Sequence, residues 1–191
     1  MNADGRAVAK SRRIGLTGSP KTGKTEIGRG LAKALNLPFY DLNSICITKR
    51  LGRFQGDEFV VDVKRARDTI SSILKGKSGY VVSGLLLPDL VKSTLLDSVI
   101  VLRCNPKVLF SRYMQSGYSM EKAKENVVSE AIGVVYSEAL DTFGRKVIQL
   151  DITSMSLDDA VEAIVKGDFK KQEIDWLSEA EKDESLLRLL L

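Results

Sequence analysis

The stretch Ile14-Gly15-Leu16-Thr17-Gly18-Ser19-Pro20-Lys21-Thr22-Gly23-Lys24-Thr25 decides how the rest of the chain is read. Its last eight residues fit the pattern G-x-x-x-x-G-K-[ST], and phosphate binding explains each residue type. Glycines allow a tight turn whose successive N–H groups converge on anionic oxygens. A helix beginning near Gly23 adds its positive end. In such loops the lysine, here Lys24, reaches the β- and γ-phosphates, and the hydroxyl of the next residue, here Thr25, ligates Mg²⁺. An apolar strand, Ile14–Thr17, precedes the loop. An amphipathic helix with Ile27, Leu31, Ala34 and Leu35 follows it, which is the context the pattern needs. The expected cofactors are ATP and Mg²⁺. The expected nucleotide contacts are Gly18, Ser19, Pro20, Lys21, Thr22, Gly23, Lys24, Thr25 and Glu26, with Thr25 as metal ligand.

Outward from the loop, short apolar runs alternate with helical patterns. Strands are predicted at Ile14–Thr17, Pro38–Leu42, Tyr80–Ser83, Ser98–Arg103 and Lys146–Asp151. Helices are predicted at Lys24–Leu35, Glu58–Lys75, Met120–Phe143 and Leu157–Val165. In the second helix Phe59, Val63, Ala66, Ile70 and Ile73 form a core-facing stripe. Asn105 before Pro106 reads as a helix start that Gly117 closes, while Ser156 with Asp159 and Ser178 with Glu181 read as capping boxes. The alternation predicts an α/β fold of P-loop type, a five-stranded parallel sheet with helices on both faces. Residues 1–12 are expected to be a disordered leader, 13–169 the P-loop domain, and 170–191 a helical extension packed on it.

Composition narrows the chemistry. The 191 residues suffice for one domain, and 29 basic against 25 acidic residues give a net charge of +4. That mild excess suits phosphates and falls short of a nucleic-acid motif. Lacking any histidine, the chain has no imidazole base and no histidine-ligated metal. Cys46 and Cys104 are too few and isolated for a disulfide framework and fit a reducing cytoplasm. No apolar run reaches the ~18 residues of a membrane span.

A family resemblance follows from further segments. Val60-Val61-Asp62-Val63, Val99-Ile100-Val101-Leu102-Arg103 and Gly117-Tyr118-Ser119, with Lys122, Asn126 and Glu130 beyond them, resemble the archaeal and eukaryotic adenylate-kinase-6 (Fap7-type) family. Leu42-Asn43 fits as well. The resemblance spans about Ile14–Ala163. It implies a nucleoside-monophosphate-kinase fold, ATP–Mg²⁺ as phosphoryl donor, AMP or another monophosphate as acceptor, and an associated ATPase activity. It also implies a role in small ribosomal subunit maturation through a platform ribosomal protein. Carried over by position, 41–57 becomes the monophosphate-binding segment with Asp41, Asn43 and Asp62 as acceptor contacts. Residues 114–124 become a short lid, with Arg112 and Lys122 as catalytic cations and Ser116 at the nucleotide. Lid cations neutralise charge on the transferring group. A plain alternative is that Lys122, Asn126 and Glu130 line one solvated helix face, and that Asp62 pairs with Lys64 or Arg65.

The chain departs from that family's pattern. Ser83-Gly84-Leu85 stands where an Asp-x-His closes the third strand as the Walker B element, and Ser116 stands where a lid arginine precedes Gly-Tyr. Lys21 replaces the loop's central glycine, and Glu26 follows Thr25. Nucleotide binding with slow turnover is the expected consequence. Two other readings stay open. Thr25-Glu26-Ile27-Gly28-Arg29 with Phe39-Tyr40-Asp41 resembles shikimate-type kinases, although Asn43 stands where those carry a second aspartate. The chain also fits a nucleotide-dependent assembly factor with little turnover.

Overall fold

The computed structural model describes residues 12–56, 58–167 and 174–191. The strands are β1 (Arg13–Gly18), β2 (Phe39–Asp41), β3 (Gly52–Gln55), β4 (Glu58–Val61), β5 (Tyr80–Ser83), β6 (Ser98–Arg103) and β7 (Val147–Asp151). Five of them form one parallel sheet in the order β2-β5-β1-β6-β7, and β3 pairs antiparallel with β4. The inner strands are buried on both faces, as unbroken apolar runs such as Tyr80–Val82 and Val99–Leu102 require.

The helices are α1 (Lys24–Leu35), α2 (Leu42–Thr48), α3 (Val63–Leu74), α4 (Leu87–Leu90), α5 (Pro106–Gln115), α6 (Met120–Ala131), α7 (Val134–Phe143), α8 (Leu157–Lys166), α9 (Trp176–Ala180) and α10 (Glu184–Leu190). One core layer joins α1, α5, α6 and α8 to the sheet through Ile27, Leu31, Leu109, Tyr113, Val127 and Ile164. The other joins α2, α3, α4 and α7 through Cys46, Ala66, Ile70, Leu87, Leu90 and Phe143. Strand order reverses beside β1, with β5 on one side and β6 on the other. A crevice at the carboxyl ends of the strands is where such sheets bind ligands, and the loop after β1 lies there.

Three expectations are corrected. The helix predicted from Glu58 begins only at Val63, because Phe59, Val60 and Val61 alternate as β4 of a hairpin. Asp62 then restarts the chain as helix N-cap, its Oδ1 accepting from the Arg65 N–H at 3.0 Å. The helix predicted over Met120–Phe143 is two helices, broken at Gly133, which takes φ 72°. The cap of α9 is Asp175, which accepts from the N–H groups of Leu177 and Ser178, so Ser178 lies inside the helix. The Ser156–Asp159 capping box and the Asn105 cap are present. The expected extension is two short helices, α9 and α10. The expected leader, 1–12, lies outside the described residues except Arg12, and so does Asp57 at the end of the 41–57 segment.

Candidate active site

The loop between β1 and α1 is held through its carbonyls, from within the loop and from α5. Gly18 has φ 145°, and a Cβ there would fall 2.4 Å from the Leu102 carbonyl oxygen, so the chain passes β6 only as glycine. The Ser19 carbonyl accepts from Thr22 Oγ1 and Lys24 Nζ, both at 2.8 Å. The Pro20 carbonyl accepts from the Tyr113 hydroxyl at 3.0 Å, and the Lys21 carbonyl from Arg112 Nη1 at 3.2 Å. The Thr22 N–H donates to the Ser19 carbonyl as well, at 3.4 Å, so the loop is closed by its own residues at one end and by α5 at the other. Gly23, φ 80°, precedes α1 as its N-cap and places no side chain on the first amides, as Gly133 does for α7, whereas Asp41, Asp62, Asn105, Ser119 and Ser156 cap α2, α3, α5, α6 and α8. An uncapped helix start with a lysine in its first turn leaves N–H donors and a cation open to an anion. Desolvation inside the loop lowers the Lys24 ammonium to about 8, opposed by the fields of Glu130, Glu26 and Asp41.

Behind the loop sits an ionic cluster that the sequence reading did not include among the site residues. Glu130 and Arg103 are 2% and 3% exposed and pair at 2.7 Å through Arg103 Nε. Arg103 Nη2 also donates to the Glu130 carbonyl at 2.9 Å, and Nη1 to Gln149 Oε1 at 2.6 Å. Glu130 Oε2 accepts the Ser19 hydroxyl at 2.5 Å, and Oε1 accepts the Cys104 N–H at 3.2 Å and Trp176 Nε1 at 3.3 Å. A signal was available. Ala123, Val127, Glu130 and Ala131 share one buried helix face, so Glu130 is a carboxylate inside an apolar stripe. The run Lys122, Asn126, Glu130 is thus not one solvated face, since Lys122 is exposed and Glu130 is buried.

Two cavities flank the loop. The first, about 330 Å³, is lined by Lys21, Thr22, Gly23, Arg112, Ser156 and Leu157 among others. The second, about 410 Å³, reaches from Lys24, Thr25 and Asp41 past Asn43 to apolar walls that include Phe59, Leu85 and Leu90. At its floor Thr25 Oγ1 donates to Asp41 Oδ2 at 2.9 Å, while Asp41 Oδ1 caps α2 through the Ser44 N–H at 2.8 Å. Asp41 and Ser83 are register partners on β2 and β5, and the buried Ser83 hydroxyl makes no hydrogen bond. These hard oxygens, a hydroxyl beside a carboxylate with an unpartnered hydroxyl next to it, fit Mg²⁺.

The remaining expected site residues divide. Lys24, Thr25, Asp41 and Asn43 share the second cavity, and Arg112 joins the loop at the first. Asp62 does not reach either one. It lines a separate cavity of about 390 Å³ with Arg53 and Arg65, because its carboxylate is spent capping α3. Lys122 is exposed and pairs with Glu58 of β4 on the surface. Glu26 is exposed in the first turn of α1, and Ser116 is the C-cap of α5, its N–H donating to the Arg112 and Tyr113 carbonyls.

Residues 14–133 match the family described as AAA domain (AAA_18). A protein named "Putative adenylate kinase" from Pyrococcus furiosus is 34% identical over 181 residues, covering 92% of this chain and 97% of that protein. Proteins of the same name from Thermococcus kodakarensis and Archaeoglobus fulgidus are each 36% identical, covering 80% and 88% of this chain and 82% and 93% of theirs. Among solved structures, a shikimate kinase from Acinetobacter baumannii in complex with shikimate superposes with a TM-score of 0.59 at 15% identity, covering 85% of this chain and 95% of that one. A shikimate kinase from Bacteroides thetaiotaomicron gives 0.52 at 19% identity, covering 81% and 96%. At those identities the likeness is of fold, an α/β P-loop NTPase with a parallel five-stranded sheet. With its loop, its sheet order and these relatives in view, the chain belongs to the AAA_18 family and is a relative of the proteins named "Putative adenylate kinase".

Proposed function

We propose that the protein is an ATP–Mg²⁺-dependent phosphotransferase of adenylate-kinase type that moves the γ-phosphate of ATP to a nucleoside monophosphate, AMP first. The observation that carries the reading is the uncapped α1 N-terminus with Lys24, set between two cavities. A triphosphate laid along the loop would put its nucleoside in the Arg112–Leu157 cavity and its terminal phosphate at Lys24. The acceptor would then enter from the Asp41–Leu90 cavity, whose apolar walls suit a base and whose polar floor suits the reacting end. Mg²⁺ would be held by Thr25 Oγ1 and the Asp41 carboxylate, and it supplies charge neutralisation of the transferring group. Of the protein's own groups, Lys24 provides cationic charge at the β/γ position, Arg112 steadies the loop and lines the donor cavity, and the carbonyl anchors keep the amides preset.

A second reading is favoured by Ser83, which brings no charge to the end of β5. It is an ATP-binding assembly factor of low turnover, working with a small-subunit ribosomal protein in the cytoplasm. One assay separates the alternatives. Purified protein with ATP–Mg²⁺ is offered AMP, the other common monophosphates, shikimate, or no acceptor, and ADP is measured. ADP formation that requires AMP is expected. Slow ADP release indifferent to acceptor supports the assembly-factor reading, and phosphorylation of shikimate alone overturns both.

A further inference from the structure

Trp176 is the chain's single tryptophan, and it is 3% exposed. Its indole N–H is spent on Glu130, the buried carboxylate whose other oxygen takes the Ser19 hydroxyl of the phosphate loop. The Ser19 carbonyl in turn takes the Lys24 ammonium. Three contacts therefore lead from the C-terminal segment to the lysine that would meet the phosphates. The segment is docked beyond that indole. Lys107 of α5 donates to Asp183 Oδ2 at 2.8 Å and to Ser185 Oγ at 2.7 Å, Leu186 is buried, and Leu189 and Leu190 pack on the α1–α5–α6 core. Those are the helices that send Tyr113, Arg112 and Glu130 to the loop.

We propose that residues 174–191 act as a positioning element for the phosphate loop, with Glu130 as the positioning residue between Trp176 and Ser19. Glu130 touches no reacting atom and works through Ser19. Its carboxylate has a fixed set of donors, Arg103, Cys104, Trp176 and Ser19, in a site without water-exposed surface. In such a site each hydrogen bond polarises the next, so loss of the indole donor is felt at the Ser19 hydroxyl. Phosphate arrival at Lys24 draws the ammonium away from the Ser19 carbonyl. That event is felt at Trp176 through the same contacts, running in reverse as linkage demands.

The inference rests on ATP binding as proposed above, and the test separates the two. Full-length protein is titrated with ATP–Mg²⁺ by calorimetry and, in parallel, by tryptophan emission, a signal from Trp176 alone. The emission is expected to change with the calorimetric Kd. Ser19→Ala is expected to bind ATP about 3- to 10-fold more weakly and to lose the emission change. Trp176→Phe, which keeps the ring and removes the donor, is expected to raise Kd and KM for ATP by a similar factor with kcat within about twofold. Should Trp176→Phe fail to fold, Ser19→Ala decides the matter, since it leaves the indole in place. Wild-type ATP binding with constant emission, or an unchanged emission response in Ser19→Ala, overturns this inference alone. No ATP binding at all overturns the functional reading with it.

Discussion

The two flanks of the phosphate loop are built on opposite principles. On the α5–α6 side the loop rests on a buried ion pair, a tyrosine hydroxyl and an arginine, each satisfied by a named partner. On the β2–β5 side it faces apolar walls with a few oxygens at their base, those of Thr25 and Asp41, and the unpartnered Ser83 hydroxyl is buried on the strand beside Asp41. The first flank holds shape, so changes there should cost stability. The second holds the groups that a metal and an acceptor would meet, so changes there should cost rate.

The largest effect follows from breaking the first flank. Arg103→Met leaves the Glu130 carboxylate buried without its cation, and such uncompensated charges destabilise by about 3–5 kcal/mol. For a chain of this size that is a fall in Tm of roughly 6–20 °C. Asp97→Asn, which breaks the Arg13–Asp97 pair with both side chains about one third exposed, should cost at most about 1 kcal/mol. Thermal unfolding of the two variants checks the contrast, and equal losses would mean that the buried Arg103–Glu130 pair on the first flank holds no more than a surface pair does.

Next comes the second flank. Asp41→Asn keeps a good cap for α2 but removes the carboxylate beside Thr25. Turnover should fall on the order of 10²–10³-fold while ATP affinity changes much less. Ser83→Asp should act in the opposite direction, raising turnover with Mg²⁺–ATP while lowering the Tm of the free protein, because two carboxylates then face each other across β2 and β5. Steady-state rates and calorimetric affinity on the same preparations decide it. Wild-type turnover in Asp41→Asn would mean the charge is supplied elsewhere.

The loop and most of the sheet were legible because both rest on local rules, a motif and unbroken apolar strands. Ser98–Arg103 was read at its full extent because every residue in it is buried. The β3–β4 hairpin was not, because Phe59 and Val63 happen to be spaced as a helix would space them. The alternation of Phe59 and Val61, half-buried, with the exposed Glu58 and Val60 shows only once β3 is opposite. The Gly56-Asp57 pair between the two runs was the overlooked hairpin signal. The Glu130 cluster joins residues far apart in the chain, Ser19, Arg103, Glu130, Gln149 and Trp176. No single window contains it. The pairing of Lys122 with Glu58 was hidden for a similar reason, because Glu58 belongs to a hairpin that the helical spacing conceals.

A pH test probes the boundary between the flanks. Lys24 is lowered to about 8, chiefly by burial, from an ordinary value near 10.5. Between those values the unfolded chain holds a proton that the folded chain has released. Lys24's share of stability therefore rises as pH increases through that window. ATP binding runs the other way, since the ligand needs the ammonium. Affinity should be flat below pH 7 and weaken by up to about tenfold per unit above pH 8. Calorimetry at pH 6, 7, 8 and 9 measures it, and Lys24→Ala should flatten the profile. A wild-type curve without slope above pH 8 would place the cation elsewhere.

The smallest effect concerns Lys21, at the tip of the loop where the two flanks meet. It takes φ 60°, a left-handed conformation that costs a non-glycine residue about 1–2 kcal/mol. Glycine there would relieve that strain, but it loosens the unfolded chain by about 0.5–1 kcal/mol. It would also lose the ammonium set 5.8 Å from the Tyr118 ring centroid, worth about 0.5–1 kcal/mol at an exposed site. Lys21→Gly should therefore leave Tm within about 3 °C of wild type. Lys21→Ala keeps the strain and loses the ammonium, so it should melt roughly 2–4 °C below Lys21→Gly, the shift expected for about 1 kcal/mol. Both variants remove a positive charge from the lining of the donor cavity, so their ATP affinities should fall together. The stability difference between the two thus isolates the backbone, and the affinity loss they share isolates the charge. If Lys21→Ala proves as stable as Lys21→Gly, the left-handed turn is not strained. The loop tip would then belong energetically with the rigid α5–α6 flank, where Arg112 already holds its carbonyl.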